Sequence, residues 1–182
     1  VIFHEVEIEG AYWIEPEKLA DERGFFARSF CRTEFEEHGL NPKVAQCNIS
    51  GNLRAGTLRG MHAQLSPYQE AKLVRCTRGS LFDVILDLRP ESSTYLRHFG
   101  LELSALNHRM MYVPEGVYHG FITLVDDTEV FYQISQEYVA KAGDGVRWND
   151  PVFGIEWPRE VVVINERDAN YPDYSPARRN DP

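Results

Sequence analysis

The sequence predicts a strand-rich, mainly all-β chain of the sandwich or barrel class, read as one domain over residues 1–182. Three observations predict it. Apolar and polar residues alternate at period two through several short segments, the spacing that puts strand side chains on one face. Turn-forming residues punctuate those segments at short intervals. The chain is also long and apolar enough to bury a core, with 182 residues of which 43% are hydrophobic and 26% charged.

Ile2 to Ile8 reads as an exposed strand able to pair across subunits. Thr33 and Glu36 form a capping box, Phe35 offers an apolar face and Gly39 can stop the run, which predicts one short helix. From Ser80 to Leu88, residues Phe82, Val84, Leu86 and Leu88 share one face and Asp83 and Asp87 the other. Phe99, Leu101, Leu103 and Ala105 repeat the pattern against His98, Glu102 and Ser104. Val130, Tyr132, Ile134 and Tyr138 do so against Gln133, Ser135 and Glu137. Arg78-Gly79, Arg89-Pro90, Pro114-Glu115-Gly116 and Asp126-Asp127 mark turns between them. The polar stretch 166–182, with three prolines and paired Arg178-Arg179, predicts a partly irregular C-terminal segment.

The charge balance of 19 Lys+Arg against 28 Asp+Glu gives −9, which argues against non-specific nucleic-acid binding. No stretch approaches the ~20 apolar residues of a membrane-spanning helix, and Val1 to Glu9 lacks the apolar run of a signal peptide. Cys31, Cys47 and Cys76 form neither a CxxC pair nor a zinc pattern, so they read as free, mostly buried thiols of a cytoplasmic protein.

The densest polar constellation runs from Gly56 to Arg78. Arg59 and His62 flank a glycine, and Lys72 shares strand parity with Val74 and Cys76. A lysine on such a face either snorkels to the surface or is held by a partner, where it can stabilise a developing anion. His119, between a turn and an apolar strand, reads as a satisfied structural histidine or a functional one. Tyr132, on the apolar face of its strand, reads as a core tyrosine whose hydroxyl finds a partner or as a functional one. One histidine at His62, another at His119 and no His-x-His pair give little for a metal to bind, and no metal site is assigned. No nucleophile elbow, phosphate-cradling glycine loop or dinucleotide fingerprint occurs.

Taken in order, Asp21-Glu22-Arg23-Gly24-Phe25-Phe26, Gln46-x-Asn48, Leu58-Arg59-Gly60-Met61-His62, Lys72-Leu73-Val74-Arg75, Val113-Pro114-Glu115-Gly116-x-x-His119-Gly120-Phe121, Tyr132 and Arg147-Trp148-Asn149-Asp150-Pro151 resemble the dTDP-4-dehydrorhamnose 3,5-epimerase family. The likeness spans roughly residues 3 to 172. It implies a cupin-like jelly roll with short helices, a homodimer, and catalysis without metal or organic cofactor. It also implies a nucleotide-diphosphate 4-keto-6-deoxyhexose as substrate, inverted at C3, C5 or both through an enolate. By resemblance His62 is the base, Asp168 its carboxylate partner, Lys72 the enolate stabiliser and Tyr132 the acid on the opposite face. Arg23 and Arg59 would hold the pyrophosphate. Gln46 and Asn48 would bond the nucleotide-sugar, Phe26 would border base or sugar, and His119 would support the sugar. Arg23, just before a glycine, also reads as an ordinary turn arginine.

Several positions depart from the family pattern. Arg28 stands for a glutamate near the nucleotide, Ala63 for a tyrosine, Ala71 for a glycine, Gly143 for a glutamate and Arg167 for a lysine. The four proton-handling positions are kept while the nucleotide pocket changes, which fits epimerase chemistry on an altered nucleotide or at a single carbon. A related sugar 3,4-ketoisomerase and a non-catalytic nucleotide-sugar-binding barrel are the other readings. Retention of Tyr132 and the His62–Asp168 pair favours the epimerase over both.

Overall fold

A computed structural model describes residues 1–176; residues 177–182, including Arg178 and Arg179, lie outside the described residues. The strands in chain order are β1 (Ile2–Glu5), β2 (Tyr12–Glu15), β3 (Leu19–Asp21), β4 (Gly24–Phe26), β5 (Gln46–Asn52), β6 (Leu58–Gln64), β7 (Lys72–Arg78), β8 (Ser80–Asp87), β9 (His98–Ser104), β10 (Met110–Val113), β11 (Val117–Thr123), β12 (Thr128–Ile134) and β13 (Gly143–Gly145). Helix α1 spans Arg32–Glu37 and α2 spans Glu166–Ala169. One sheet runs β1-β2-β10-β7-β12-β5, a second β13-β6-β11-β8-β9, and β3-β4 forms a separate hairpin. Every strand pair is antiparallel. From β5 to β12 the chain crosses between the two large sheets at every step except the β8–β9 hairpin, in the manner of a jelly roll. This is the predicted all-β class.

The main core lies between the sheets. Val74, Met111 and Val130 from one meet Leu81, Ile85 and Phe121 from the other, all buried. At roughly 1.5–3 kcal/mol for each large side chain fully removed from water, this layer supplies much of the folding drive. Two further clusters cover the outer faces. Phe35 of α1 packs with Ile14, Leu73 and Met110. Val146 and Phe153 pack with Met61, Val84 and Leu86.

The second outer cluster corrects the reading of β8. Val84, Leu86 and Leu88 face outward under Val146 and Phe153, whereas the face read as polar turns into the barrel with Leu81 and Ile85. Asp83 and Asp87 are therefore fully buried rather than solvated. Asp87 accepts bonds from Arg89, Ser92 and Thr94, which pins the β8–β9 connection. Burial alone would raise its carboxyl, but these donors outweigh it and hold the group below the usual carboxylate range.

Other elements shift in smaller ways. Helix α1 starts from Cys31 without a side-chain cap, so Thr33 lies inside the first turn and the capping box does not form. Its end is as predicted: Gly39 takes φ +70°, its N–H bonds Glu36 O at 3.0 Å, and Leu40 N–H bonds Phe35 O at 2.9 Å. The N-terminal strand stops at Glu5, and Ile8 is buried in the main core. Strand β12 ends at Ile134, leaving Tyr138 outside the strand and 61% exposed. The stretch expected to be irregular from residue 166 opens with α2, where Asn165 caps Asp168 N–H at 2.7 Å. The three cysteines are free, but only Cys76 is buried; Cys31 is partly exposed and Cys47 exposed. Burial pushes the Cys76 thiol up to about 11.

One irregularity shapes the site. Residues three apart on a regular strand point to opposite faces, yet Arg59 and His62 both line the same cavity. His119 lies opposite His62 while Phe121 lies opposite Arg59, so β6 carries one extra residue there, a β-bulge. Gly60 makes it possible. Its φ is +117°, and a Cβ there would stand 2.6 Å from Gly120 Cα and 2.8 Å from His119 O.

Gly60→Ala is therefore expected to destabilise the protein by at least about 2 kcal/mol, seen as a lower urea midpoint at unchanged slope. Asp87→Ala is expected to cost about 3 kcal/mol at neutral pH, because it strips a buried ion pair of one partner. Asp87 has a depressed carboxyl in the fold. Its contribution is thus present above the unfolded value of roughly 3.9 and is lost as pH falls through the lower folded value. Acid unfolding should accordingly be less steep in the variant than in the wild type, measured by urea titrations between neutral pH and about pH 3.

Candidate active site

A cavity of about 560 Å³ lies between the two large sheets. The five-stranded sheet contributes Arg59 and His62 from β6 and His119 from β11. The six-stranded sheet contributes Asn48 from β5, Lys72 from β7 and Tyr132 from β12. Helix α2 adds Arg167 and Asp168.

The bulge aims His62 at α2. His62 Nε2 lies 2.7 Å from Asp168 Oδ1, and the other carboxylate oxygen accepts Gly60 N–H at 3.0 Å. Asp168 is fully buried and His62 is 39% exposed, so the ring bridges a buried anion and the cavity. Bonding through Nε2 leaves Nδ1 as the ring nitrogen turned away from the carboxylate. Burial pushes the Asp168 carboxyl up, but the His62 ring and the Gly60 amide together hold it below the usual range.

A second pair sits beside the first. His119, opposite His62 in register, places Nε2 2.7 Å from Asp83 Oδ1, with both residues buried. Its ring meets the Tyr132 ring edge-on at 6.2 Å. Burial, and then the Asp83 charge, push the Tyr132 phenol well above its ordinary value, so it is neutral at physiological pH. Lys72 Nζ reaches Glu70 Oε1 at 3.1 Å and the His62 carbonyl at 3.4 Å. Of the two readings of Lys72 from sequence, a lysine held by a partner is the one observed. Arg59 is braced from Nε to Asn52 Oδ1 at 2.8 Å and from Nη2 to Gly51 O at 3.3 Å. Its guanidinium stands at the cavity wall in a fixed pose suited to an anion.

Eight of the expected residues thus meet at the cavity: Asn48, Arg59, His62, Lys72, His119, Tyr132, Arg167 and Asp168. Gln46 does not line it; its side-chain oxygen accepts Tyr138 N–H at 3.0 Å and so fixes a tyrosine that does. The β3–β4 hairpin stands apart from the cavity. Arg23 there is 84% exposed and bonds Asp21, and Phe26 is 73% exposed. Arg28 pairs with Glu34 of α1. Of the remaining departures, Ala63 and Ala71 are buried in the two outer clusters, and Gly143 lies on the cavity wall near Tyr138 Oη and Arg167.

Sequence reasoning missed Glu70 and Tyr138, which line the cavity, and Asp83, which stands behind it on His119. Asp83 and Tyr138 were visible only as members of alternating patterns, whereas Glu70 shares the strand parity of Lys72 two residues on. Among the described residues, no group of three or more His, Cys, Asp or Glu side chains is gathered to hold a metal ion.

Comparison with known proteins identifies the family and the fold. The family model described as dTDP-4-dehydrorhamnose 3,5-epimerase matches residues 5–175. A dTDP-4-dehydrorhamnose 3,5-epimerase of Methanothermobacter thermautotrophicus is 42% identical over 181 residues, covering 98% of this chain and 95% of that protein. The crystal structure of the enzyme of that name from Elizabethkingia anophelis superposes with a TM-score of 0.92 at 36% identity, covering 95% of this chain and 96% of the other. That from Bacillus anthracis, with TDP and PPi bound, gives 0.91 at 38% identity, covering 95% and 99%. By its sequence and by its jelly roll, the chain belongs to the dTDP-4-dehydrorhamnose 3,5-epimerase family, and is an isomerase of that kind.

Proposed function

We propose that this chain inverts C3, C5 or both of a nucleotide-linked 4-keto-6-deoxyhexose, with dTDP-4-keto-6-deoxyglucose the first candidate, without metal or organic cofactor. The C4 ketone acidifies the neighbouring C–H bonds. His62 takes a proton, and Asp168 orients the ring and balances the imidazolium. The electron pair moves onto the ketone oxygen, where the Lys72 ammonium meets the charge. Tyr132 then gives a proton to the carbon from the other side.

The observation that carries this reading is that His62 and Tyr132 belong to different sheets and line one cavity between them, with Lys72 in the same wall as Tyr132. A ring bound in that gap has a base on one face and an acid on the other, which is what inversion requires. The braced Arg59 takes the pyrophosphate, Asn48 and Arg167 bind other polar parts of the nucleotide, and His119, fixed by Asp83, supports the sugar. Arg23, Phe26 and Arg28 fit a role in binding if the chain is a homodimer whose exposed hairpin reaches the cavity of a second copy. The exposure of Arg23 and Phe26 supports that arrangement. A cytoplasmic location completes the proposal.

Proton NMR in D₂O with freshly prepared dTDP-4-keto-6-deoxyglucose, following C3 and C5 hydrogens separately, tests the reading. Exchange with inversion is expected; exchange at one carbon identifies a single-site enzyme, and at neither redirects the search to the CDP-linked sugar. His62→Ala should reduce exchange by at least about 100-fold. Tyr132→Phe should retain proton removal and lose inversion, and inversion at the wild-type rate would remove Tyr132 from the mechanism. Treatment with a chelator should leave turnover intact; a loss restored only by added metal would overturn the metal-free assignment.

A further inference from the structure

The proposed chemistry assigns no role to the carboxylate that, among the described residues, touches Lys72. Glu70 lies two residues before Lys72 and continues the parity of β7, so both side chains turn into the cavity. The residue between them is locked. Ala71 is buried, donates its N–H to Ser135 Oγ at 2.8 Å and accepts Ser135 N–H at 3.0 Å. Glu70 Oε1 then stands 3.1 Å from Lys72 Nζ, with the side chains 9% and 10% exposed.

A carboxylate here is electrostatically unfavourable for an anionic ligand, and it weakens the positive potential of the cavity. Against that stands what it does to the ammonium. An ammonium carries three N–H donors. One is directed at Glu70 and a second at the His62 carbonyl at 3.4 Å, a long contact that alone holds a four-carbon side chain poorly. With two donors committed, the third is left for an oxygen in the cavity. The carboxylate also offsets the cost of holding a charged amine out of water. Pinning and compensation both act on Lys72, whereas the unfavourable field acts on the whole ligand. The two effects therefore separate into rate and affinity.

We propose that Glu70 is a positioning residue that holds the Lys72 ammonium, through a buried ion pair, at the point where the substrate's ketone oxygen gains charge. This rests on the epimerase reading above.

The test is the C3/C5 hydrogen exchange rate in D₂O, read together with dTDP affinity by calorimetry and the thermal midpoint, for the full chain. Glu70→Gln keeps the shape and removes the charge. It is expected to slow exchange about tenfold or more while dTDP affinity stays within about twofold or tightens. Glu70→Asp, which keeps the charge on a shorter stem, should recover part of the rate. In a Lys72→Met background, adding Glu70→Gln should change the residual rate less than about twofold, because a residue acting only through Lys72 has nothing left to position. If Glu70→Gln does not fold, the Lys72→Met comparison and Glu70→Asp still decide the matter. Wild-type exchange in Glu70→Gln, or the same tenfold loss with Lys72 already replaced, would overturn the assignment while leaving the epimerase reading in place. Exchange at neither carbon in the wild-type protein, with dTDP- and CDP-linked sugars alike, would overturn both.

Discussion

The Asp168 carboxylate, fully buried, accepts the Gly60 amide through one oxygen and faces the His62 ring through the other. These two contacts tie three separate decisions of the chain together. The amide is the one exposed by the bulge in β6. The bulge is what lets Arg59 and His62 share a cavity. The carboxylate arrives on a four-residue helix, held by its own N–H to Asn165 and far along the sequence from the strand it fixes. A helix this short has no stability of its own, so its position rests on the bonds it makes to the strand. Strand irregularity and helix placement stabilise each other, and the orientation of His62 results from both. The same residue then extends the order: its ring is set by Asp168, and its carbonyl gives Lys72 a second anchor.

The chain carries formal charge −9, yet the cavity that would take a nucleotide diphosphate gathers Arg59, Lys72 and Arg167. The acidic excess is no obstacle because the carboxylates nearest these cations are already committed. Asp168 and Asp83 face histidines, and Glu70 faces Lys72. Buried charges of this kind contribute little net stability, since desolvation consumes most of their attraction. What they supply is fixed geometry. A histidine with one nitrogen on a buried carboxylate has a defined tautomer and a defined free nitrogen, and it presents that nitrogen without reorganisation when a ligand arrives.

Much of this was legible in the sequence, for physical reasons that also mark where legibility ended. Period two shows which residues share a face but not which face lies inside. In β8 both faces are covered, one by the opposing sheet and one by the segment around Val146 and Phe153, so the face that carries Asp83 and Asp87 is buried although alternation marks it as the polar one. Gly39 was read correctly because a Schellman end is a local device. The capping box at Thr33 does not form, because the helix begins at Arg32 and Thr33 falls inside its first turn. The positions of His62, Lys72, Tyr132 and Asp168 at one cavity were expected from family likeness alone. Nothing in the spacing of residues 62 and 168 implies contact, and the polar character of the tail suggested a loop. Arg23 and Phe26 mark the opposite limit: their residue types suit a phosphate and a ring, but the hairpin carries them outside the cavity of their own chain.

The two-sheet architecture bears directly on why a base and an acid can act on one carbon from opposite sides. Sheets packed face to face stand about 10 Å apart, a gap that an apolar core fills along most of the barrel and that a hexose ring can occupy where the lining turns polar. Groups on the same sheet would approach a bound ring from one face and return a proton to the side it left. Groups on opposing sheets approach from both. In the proposed mechanism His62 belongs to one sheet and Tyr132 to the other; His62 is backed by Asp168 of the short helix, and Tyr132 faces His119, which Asp83 holds from the opposing sheet. Burial, and then the Asp83 charge, raise the phenol and keep Tyr132 a proton donor, while Asp83 also fixes His119 beside it. Asp168 fixes the orientation of its histidine through the contact at Nε2. Buried carboxylates thus fix the two imidazoles of the five-stranded sheet, while burial keeps the facing phenol protonated, so the base stands on one side of the gap and the proton donor on the other.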